Sequence, residues 1–298
     1  MTGMLPSRTL TYKTVGSLDI LLDIYLAPKV TKAPILLWLH GGGLLQGHRS
    51  QLPPYLRRGV QQQGYTCVSA DYRLAPQTTL PDIFRDVKDC ISFIRSSLPA
   101  RLAEAGLKNV VDVSRLAVSG SSAGGYLALL AGLYIQPKPQ VVVATYPMTD
   151  PLGPAFAMPQ PPPTGYSVPS AKAMAPYLDR SAEVVANCEP PDPRMDLPLY
   201  MLSTGRAPEL LGVQDPEVAK PWRVSRKIHE HRLPPTYVLH ADTDSAVGVE
   251  QADEVVGAAV GCGLEVVYER VHGKEHLFDM APEYENEDMM GFVMKHLT

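Results

Sequence analysis

Several features that would assign this chain to a specialised class of protein are scarce or missing. It has four cysteines in 298 residues, at positions 67, 90, 188 and 262, and no two of them form a C-x-x-C pair. This spacing argues against a disulfide framework and a cysteine zinc site, so we expect buried free thiols. The longest apolar run, residues 127–135 with one glycine, is too short to span a bilayer.

Positive charge is also limited. The chain carries 27 Lys and Arg against 31 Asp and Glu, a formal net charge of −4, and has no dense basic cluster. Binding to a nucleic-acid backbone requires such a cluster, so no nucleic-acid partner is expected. The first 17 residues are polar and lack the apolar core of a signal peptide. We therefore expect a cytoplasmic protein without a membrane span.

Apolar sequence, by contrast, is abundant, at 45% of residues. Two β-prone runs near the N-terminus, residues 9–15 and 20–26, predict an antiparallel hairpin at a sheet edge. Later strand-like runs are separated by stretches with helical periodicity, an order that predicts an α/β fold with a mostly parallel central sheet flanked by helices. These later runs are residues 34–39, 65–70, 116–119, 140–146, 236–240 and 264–270.

The alternation is interrupted by a proline-rich segment at about residues 147–221. Thirteen of the 29 prolines lie between residues 147 and 198, which argues against regular sheet there. A disordered linker is one interpretation. The segment, however, contains more large apolar residues than a solvated linker usually does, among them Phe156, Tyr177 and Met201. We favour an inserted cap of loops and short helices within a single domain that spans residues 1–298.

A glycine-rich turn follows the strand-like run at residues 116–119. Gly120-Ser121-Ser122-Ala123-Gly124 fits the pattern G-x-S-x-G, in which two glycines allow a tight strand-to-helix turn that exposes the middle hydroxyl. A turn without chemistry fits these five residues too, because short patterns recur by chance. If the turn carries chemistry, its nucleophile is Ser122.

Partners for such a nucleophile occur later in the chain. Serine is a weak nucleophile at its ordinary pKa and needs a histidine base, usually oriented by a carboxylate. Asp242 and Asp244 follow the run at residues 236–240, and His272 and His276 follow the last strand-like run. The residues alone leave both aspartates and both histidines open. The two histidines lack a strong third ligand, so we expect no metal and no cofactor.

A second glycine-rich turn follows the run at residues 34–39. His40-Gly41-Gly42-Gly43 can direct backbone N–H groups towards the Ser122 hydroxyl, and the Ala123 N–H at a helix start adds a donor. A tetrahedral acyl-transfer intermediate needs such donors for its oxyanion. A phosphate-binding loop is the alternative, but neither G-x-x-x-x-G-K nor G-x-G-x-x-G is present here.

Three motifs in this order resemble the hormone-sensitive-lipase-like branch of the α/β-hydrolases, whose members are carboxylesterases and lipases. They are the His40–Gly43 turn with Gly47, Asp-Tyr-Arg-Leu-Ala-Pro at residues 71–76, and the turn around Ser122 with Gly125. The resemblance extends from about residue 30 to the C-terminus and is weakest in the proline-rich segment. It implies an α/β-hydrolase fold with an inserted cap.

The resemblance also implies roles for individual residues. Ser122 is the expected nucleophile, and Gly42, Gly43 and Ala123 are the expected oxyanion-hole donors. The family's acid lies three residues after a small residue, here Ala241, which favours Asp244 over Asp242. The family's base lies in a Gly-x-x-His segment, which favours His276 over His272.

The expected function is therefore a serine hydrolase that cleaves carboxylic esters of small molecules through an acyl-enzyme. The alternative is an acyltransferase, a lactonase or a cyclising enzyme of specialised metabolism with the same triad. A ligand-binding protein that has lost the chemistry is a further possibility, but such proteins tend to lack a triad residue. Four departures from the family's usual pattern concern the rim of the pocket or its hydrogen bonding: Leu44, Gln77, Ser121 and Ser245.

Overall fold

The strands of this chain form one sheet, seen in a computed structural model that describes residues 5–298. Its eight strands are β1 (Arg8–Val15), β2 (Leu18–Tyr25), β3 (Ala33–Leu39), β4 (Thr66–Ala70), β5 (Val111–Ser121), β6 (Val141–Thr145), β7 (Thr236–Ala241) and β8 (Val266–Val271). Their spatial order is β1-β2-β4-β3-β5-β6-β7-β8. The β1–β2 and β2–β4 pairs are antiparallel and the other pairs are parallel. The predicted edge hairpin and mostly parallel sheet are confirmed.

Helices cover both faces of this sheet. Within residues 5–298 they are α1 (Pro54–Gln62), α2 (Leu80–Ser96), α3 (Leu98–Glu104), α4 (Ala123–Tyr134), α5 (Pro154–Ala157), α6 (Ala171–Leu178), α7 (Leu197–Thr204), α8 (Ala207–Leu210), α9 (Pro216–Ala219), α10 (Val224–His231), α11 (Glu250–Gly261) and α12 (Glu287–His296). No helix in this range is long and apolar enough to cross a membrane.

Burial on both faces explains the continuous apolar runs of the central strands. In β3, Ile35, Leu37 and Leu39 belong to one core cluster, whereas Leu36 and Trp38 belong to a second cluster that includes residues of α1 and α12. A strand covered by helices on both faces needs apolar residues at successive positions. Helix α4 is likewise buried along almost its whole length, which accounts for its apolar residues on every side.

Two parts of the fold differ from the sequence-based expectation. Strand β5 begins at Val111 rather than near residue 116. The prediction missed its first five residues because they are at most partly buried and form no continuous apolar run. Helix α3, which the sequence did not predict, buries only Leu98 and Leu102. Two apolar positions over seven residues are too weak a signal for helical periodicity.

The connection between β6 and β7 contains six of the helices, α5 to α10, and no strand among its described residues. Its apolar residues are partly in the main core: Phe156, Met174 and Met201 are buried there. Backbone hydrogen bonds join it to the rest of the chain, from Leu74 N to Val185 O at 2.9 Å and from Leu80 N to Leu211 O at 2.9 Å.

Candidate active site

Ser122 lies at a sharp bend between β5 and α4. Its φ of 56° and ψ of −117° place an L-residue in a conformation that costs energy. The bend is held by hydrogen bonds from Ser122 N to Thr145 O at 2.9 Å and from Tyr126 N to Ser122 O at 3.1 Å. The surrounding fold therefore maintains the strained turn that presents this side chain.

The two glycines that flank Ser122 are required by close backbone approach. A Cβ on Gly124 would lie 2.0 Å from Leu39 O, and one on Gly120 would lie 2.2 Å from Gly124 O. Real Cβ atoms do not approach backbone atoms so closely, so any larger residue would push α4 away from the ends of β3 and β5. The G-x-S-x-G pattern thus has a packing reason at both glycines.

Three side chains from the ends of different strands meet at this bend. His276, in the loop after β8, has its Nε2 3.1 Å from Ser122 Oγ and its Nδ1 2.7 Å from Asp244 Oδ2. Asp244 follows β7, and 154 residues separate Ser122 from His276 in the chain. The carboxyl ends of parallel strands gather at one edge of a sheet, which is why such distant residues come together.

Asp244 is fixed by hydrogen bonds on both carboxylate oxygens. Its Oδ1 accepts from Ala246 N at 2.9 Å and from Val247 N at 2.8 Å, while Oδ2 faces His276. Burial on its own would raise the pKa of Asp244. The nearby His240 ring and hydrogen bonds from His276 and Val247 N outweigh that effect and hold the pKa well below its usual range. Asp244 is therefore a carboxylate at neutral pH.

The other His–Asp pair lies elsewhere on the surface. His272 Nδ1 is 2.5 Å from Asp242 Oδ2, but the His272 side chain is 97% exposed. Within residues 5–298, neither residue of this pair forms a hydrogen bond with Ser122 or His276. The geometry brings His276 and Asp244, rather than His272 and Asp242, to the serine.

The glycine turn after β3 lies directly beside Ser122. A Cβ on Gly41 would be 3.2 Å from Ser122 Cβ, and the turn is closed by a hydrogen bond from Gln46 N to Gly42 O at 3.1 Å. Gly42 and Gly43 have φ values of 97° and 64°, a region that favours glycine. In the described part of the chain, the amides of Gly42, Gly43 and Ala123 donate to no protein acceptor. These N–H groups are free to bind an oxyanion.

His40 supports this turn from below. Its ring stacks on Tyr72 with centroids 4.1 Å apart, and burial lowers its pKa to about 3, so the ring is neutral. Nδ1 therefore donates to Gly41 O, at 2.9 Å. The Tyr72 hydroxyl donates to His40 O at 2.7 Å. The Asp-Tyr-Arg motif at residues 71–73 thus supplies support for the glycine turn.

Arg194 joins the β6–β7 connection to the same region. This buried guanidinium donates to Leu45 O at 2.9 Å, Ala75 O at 2.6 Å and Gln77 Oε1 at 2.7 Å. The Gln77 amide in turn donates to Tyr177 O at 2.9 Å. Gln77, one of the departures from the family pattern, therefore serves as both acceptor and donor, a combination that a glutamate carboxylate does not offer.

The other departures also have visible contacts. Ser121 Oγ lies 3.4 Å from Trp38 Nε1, and Leu44 is completely buried with a φ of 65°. Ser245 Oγ accepts from Thr164 N at 2.9 Å and donates to Glu275 Oε2 at 2.8 Å. Through Ser245, the β6–β7 connection is tied to the loops that carry Asp244 and His276.

A cavity of about 400 Å³ opens over Ser122 and His276. Gly42 and Gly43 form part of its wall, so the free amides and the serine face the same space. Much of the remaining wall is apolar and comes from the β6–β7 connection, namely Met148, Phe156, Met195, Leu199, Met201 and Leu202. The cavity suits an apolar ligand that presents a polar group to the glycine turn.

Comparisons with known proteins agree with this fold. The BD-FAE family model matches residues 22–146, which include the glycine turn and Ser122. The chain has the α/β-hydrolase fold. An α/β-hydrolase superfamily protein from Enterococcus faecalis superposes with a TM-score of 0.69 at 22% identity, covering 97% of this chain and 96% of that one. An esterase from Thermogutta terrifontis does so with a TM-score of 0.62 at 18% identity, covering 97% and 91%.

Curated relatives of this α/β-hydrolase are much longer proteins. The non-reducing polyketide synthase pkbA of Emericella nidulans is 30% identical over 325 aligned residues, which cover 92% of this chain and 13% of that protein. The non-reducing polyketide synthase ausA of Aspergillus calidoustus is 27% identical, with the same coverage. The chain thus spans about an eighth of the length of these relatives.

Sequence reasoning missed three residues around Ser122, His276 and Asp244. His240 Nε2 lies 3.4 Å from Asp244 Oδ2, and its spacing of four residues from Asp244 was the available signal. Tyr146 packs against the His276 ring, and Asp279 accepts a hydrogen bond from Tyr146. No spacing rule linked Tyr146 to Asp279, because 133 residues separate them.

Proposed function

We propose that this α/β-hydrolase cleaves carboxylic esters through an acyl-enzyme on Ser122. The observation that carries the proposal is the continuous hydrogen-bonded chain from Ser122 Oγ through His276 to the Asp244 carboxylate. A nucleophile, a base and a group that orients the base are the elements that acyl transfer by serine requires. The free amides of Gly42, Gly43 and Ala123 supply the fourth element.

The reaction follows from these positions. Ser122 Oγ attacks the ester carbonyl carbon while His276 Nε2 takes its proton, and the resulting oxyanion binds the amides of the glycine turn and Ala123. Collapse of this intermediate breaks the ester C–O bond, and the alcohol leaves with the proton held by His276. Water then attacks the acyl-enzyme, His276 accepts a proton from it, and Ser122 is released with that proton. Asp244 keeps Nδ1 protonated throughout.

Oxyanion stabilisation accounts for a large part of the expected rate. Removing one donor from such a site costs about 3–4 kcal/mol in enzymes where this has been done. Here the donors are backbone amides whose directions are fixed by the turn at Gly42 and by the start of α4. They need no reorganisation as charge develops on the carbonyl oxygen, which is the property that makes such donors effective.

We further propose that residues 147–221 act as a cap that selects the acyl group, within a single domain. The support is the apolar wall that Met148, Phe156 and Met201 contribute above Ser122. A cavity of about 400 Å³ is large enough for a small or medium acyl group. Substrates are therefore expected to be small molecules with an apolar acyl portion.

Initial rates with p-nitrophenyl esters of increasing acyl length test this function. Turnover of the acetate and butyrate esters is expected, with a decline for chains longer than the cavity accepts. The Ser122→Ala variant is the blank, and its kcat should fall by several orders of magnitude with folding intact by circular dichroism, leaving only what binding and the oxyanion donors contribute. Equal turnover by wild type and Ser122→Ala would exclude the proposed nucleophile.

The curated relatives favour a second candidate function, in which a hydroxyl group rather than water accepts the acyl group. Both relatives are non-reducing polyketide synthases that align with 92% of this chain, which favours a polyketide as the acyl group. The same Ser122 acyl-enzyme would then be resolved by an alcohol or by a hydroxyl of the acyl group itself, giving a transferred ester or a lactone. Mass analysis of products from hydroxylated aromatic thioesters, with and without added alcohols, distinguishes these outcomes from hydrolysis.

A further inference from the structure

A tyrosine and a buried carboxyl group lie behind the His276 ring. Tyr146 directly follows β6, and its ring centroid is 4.5 Å from that of His276. The Tyr146 hydroxyl donates a hydrogen bond to Asp279 Oδ1. Asp279 lies three residues after His276 and is completely buried. These residues form a second route by which a carboxyl group reaches the histidine, through the tilted contact of the Tyr146 and His276 rings rather than through Nδ1.

The orientation of Tyr146 is fixed from several sides. Its backbone has a φ of 35°, and its N–H donates to Leu239 O at 2.5 Å. The Phe278 ring meets the Tyr146 ring edge-on, with centroids 5.6 Å apart. A non-glycine residue keeps a positive φ only when its surroundings enforce it, and such positions cluster at functional sites. The ring that faces His276 is therefore held in place by its neighbours.

The Asp279 carboxyl lies in an environment that is unfavourable for a charged or polar group. Oδ2 is buried and has no hydrogen-bond partner among residues 5–298. A buried polar atom without a partner costs about 1–3 kcal/mol, so an apolar residue would stabilise this position better unless the carboxyl has a role. Burial raises the pKa of Asp279 to about 6, although the Tyr146 hydrogen bond and the charge of His276 act in the opposite direction.

We propose that Asp279 is a positioning residue that acts on His276 through Tyr146. The inference rests on the proposed function, because it concerns the imidazolium that forms when His276 takes the Ser122 proton. The Asp279 carboxylate accepts the Tyr146 hydroxyl, keeps the tyrosine ring against His276, and places a negative charge behind that imidazolium. No new bond is made and no proton is transferred to Asp279.

The titratable groups around Asp279 are few. Tyr146 and His276 contact each other on one side, and Tyr55 of α1 and Tyr284, which precedes α12, lie close enough to interact electrostatically with it. Burial raises the pKa of all three tyrosines above the usual value, so they stay neutral at working pH. The three tyrosines then contribute no charge near neutral pH, which leaves the Asp279 carboxyl as the group beside Tyr146 whose charge changes there.

The test compares pH–rate profiles for p-nitrophenyl acetate in wild type, Asp279→Asn and Tyr146→Phe. Asn keeps an acceptor for the Tyr146 hydroxyl but has no charge, so the His276 imidazolium is less favoured. The acidic limb of the profile, over which the rate rises with pH, should therefore move to lower pH by about half a unit or more. The value of kcat should fall several-fold while KM stays within about twofold. Tyr146→Phe removes the donor to Asp279, favours its neutral form, and should shift the limb in the same direction.

Two controls separate this role from a packing effect. Tyr237→Phe removes the hydroxyl of another tyrosine, one that lies in the core cluster containing Tyr55 and donates to Glu269 at 2.6 Å, and it should leave the limb unchanged. The double variant Asp279→Asn with Tyr146→Phe should shift the limb no further than Asp279→Asn alone, because both changes act through one charge.

An unchanged acidic limb in both single variants, with full turnover, would overturn the inference and leave the proposed function intact. So would an equal shift in Tyr237→Phe, since that would assign the effect to packing. Turnover by Ser122→Ala equal to that of wild type would instead remove the proposed function, and the inference with it. Thermal melting of each variant, measured alongside, confirms that the folded enzyme is being compared.

Discussion

Asp244→Asn should abolish most of the activity by reversing the tautomer of His276. Asp244 Oδ1 accepts two backbone N–H groups, from Ala246 and Val247, so the carbonyl oxygen of an asparagine must take that position. Its NH2 group then occupies the place of Oδ2 and donates towards His276 Nδ1, 2.7 Å away in the wild type. The proton of the neutral ring moves to Nε2, which can no longer accept the Ser122 proton.

The magnitude follows from what the base contributes. In a serine protease, the same exchange leaves the geometry intact and lowers kcat by about 10⁴, or about 5 kcal/mol in the barrier, because the wrong tautomer is present. We expect a loss of that order here, with KM little changed. The oxyanion donors are untouched by the substitution, so a residual rate above the uncatalysed reaction should remain.

Asp242→Asn is the matched control. Asp242 also bonds a histidine, His272, but that side chain is 97% exposed. The kcat of this variant for p-nitrophenyl butyrate should stay within about twofold of wild type, as for an exposed ion pair. If Asp244→Asn kept more than a tenth of the wild-type kcat, or if Asp242→Asn lost activity instead, the assignment of the acid would be wrong.

Three further substitutions probe other parts of the account. In Gly42→Ala the new Cβ would lie 2.2 Å from Gln46 O, so the substitution should distort the glycine turn and lower kcat by about 10²–10³. The reaction of Ser122 with a fluorophosphonate should slow as well. Arg194→Ala leaves the acceptors of Leu45, Ala75 and Gln77 without their donor, so it should lower the free energy of unfolding by about 2–4 kcal/mol in urea titrations. The third is Asp279→Asn, whose effect on stability should depend on pH. The folded pKa of Asp279, about 6, lies above the unfolded value near 4, so its protonated form stabilises the fold at low pH and this contribution is lost as pH rises through 6. Relative to the variant, the wild type should lose about 2 kcal/mol between pH 4.5 and 7.5, and a constant difference in urea unfolding would contradict the burial argument.

Much of the fold could be predicted from local patterns in the sequence. The run at β3 is apolar at successive positions because both faces are covered, and its length and end could be predicted from that alone. The bend at Ser122 was predictable because only glycines fit where Gly120 and Gly124 pack against backbone atoms. The start of β5 was not predicted, since only Val111 and Asp112 pair with β3 before a register shift, and residues 111–115 are at most partly buried and form no continuous apolar run.

The arrangement around the site was predictable only in part. Chain order suggested which residues gather at the sheet edge, but the choice between Asp242 and Asp244 rested on a resemblance, because it depends on which carboxylate faces His276 in the folded chain. The contacts of Arg194 with Leu45 and Ala75 span more than a hundred residues and follow no periodicity. The same holds for Tyr146 and Asp279, whose partnership depends on how two loops meet in three dimensions.

Intact-mass analysis after reaction with a fluorophosphonate tests the central claim most directly. The probe mimics the tetrahedral intermediate and reacts with a serine only where a base and an oxyanion site activate it. One adduct per chain is predicted, located on Ser122 by peptide mapping, absent from Ser122→Ala and strongly slowed in Asp244→Asn. A wild-type protein that stays unmodified while folded, or an adduct on another residue, would contradict the account.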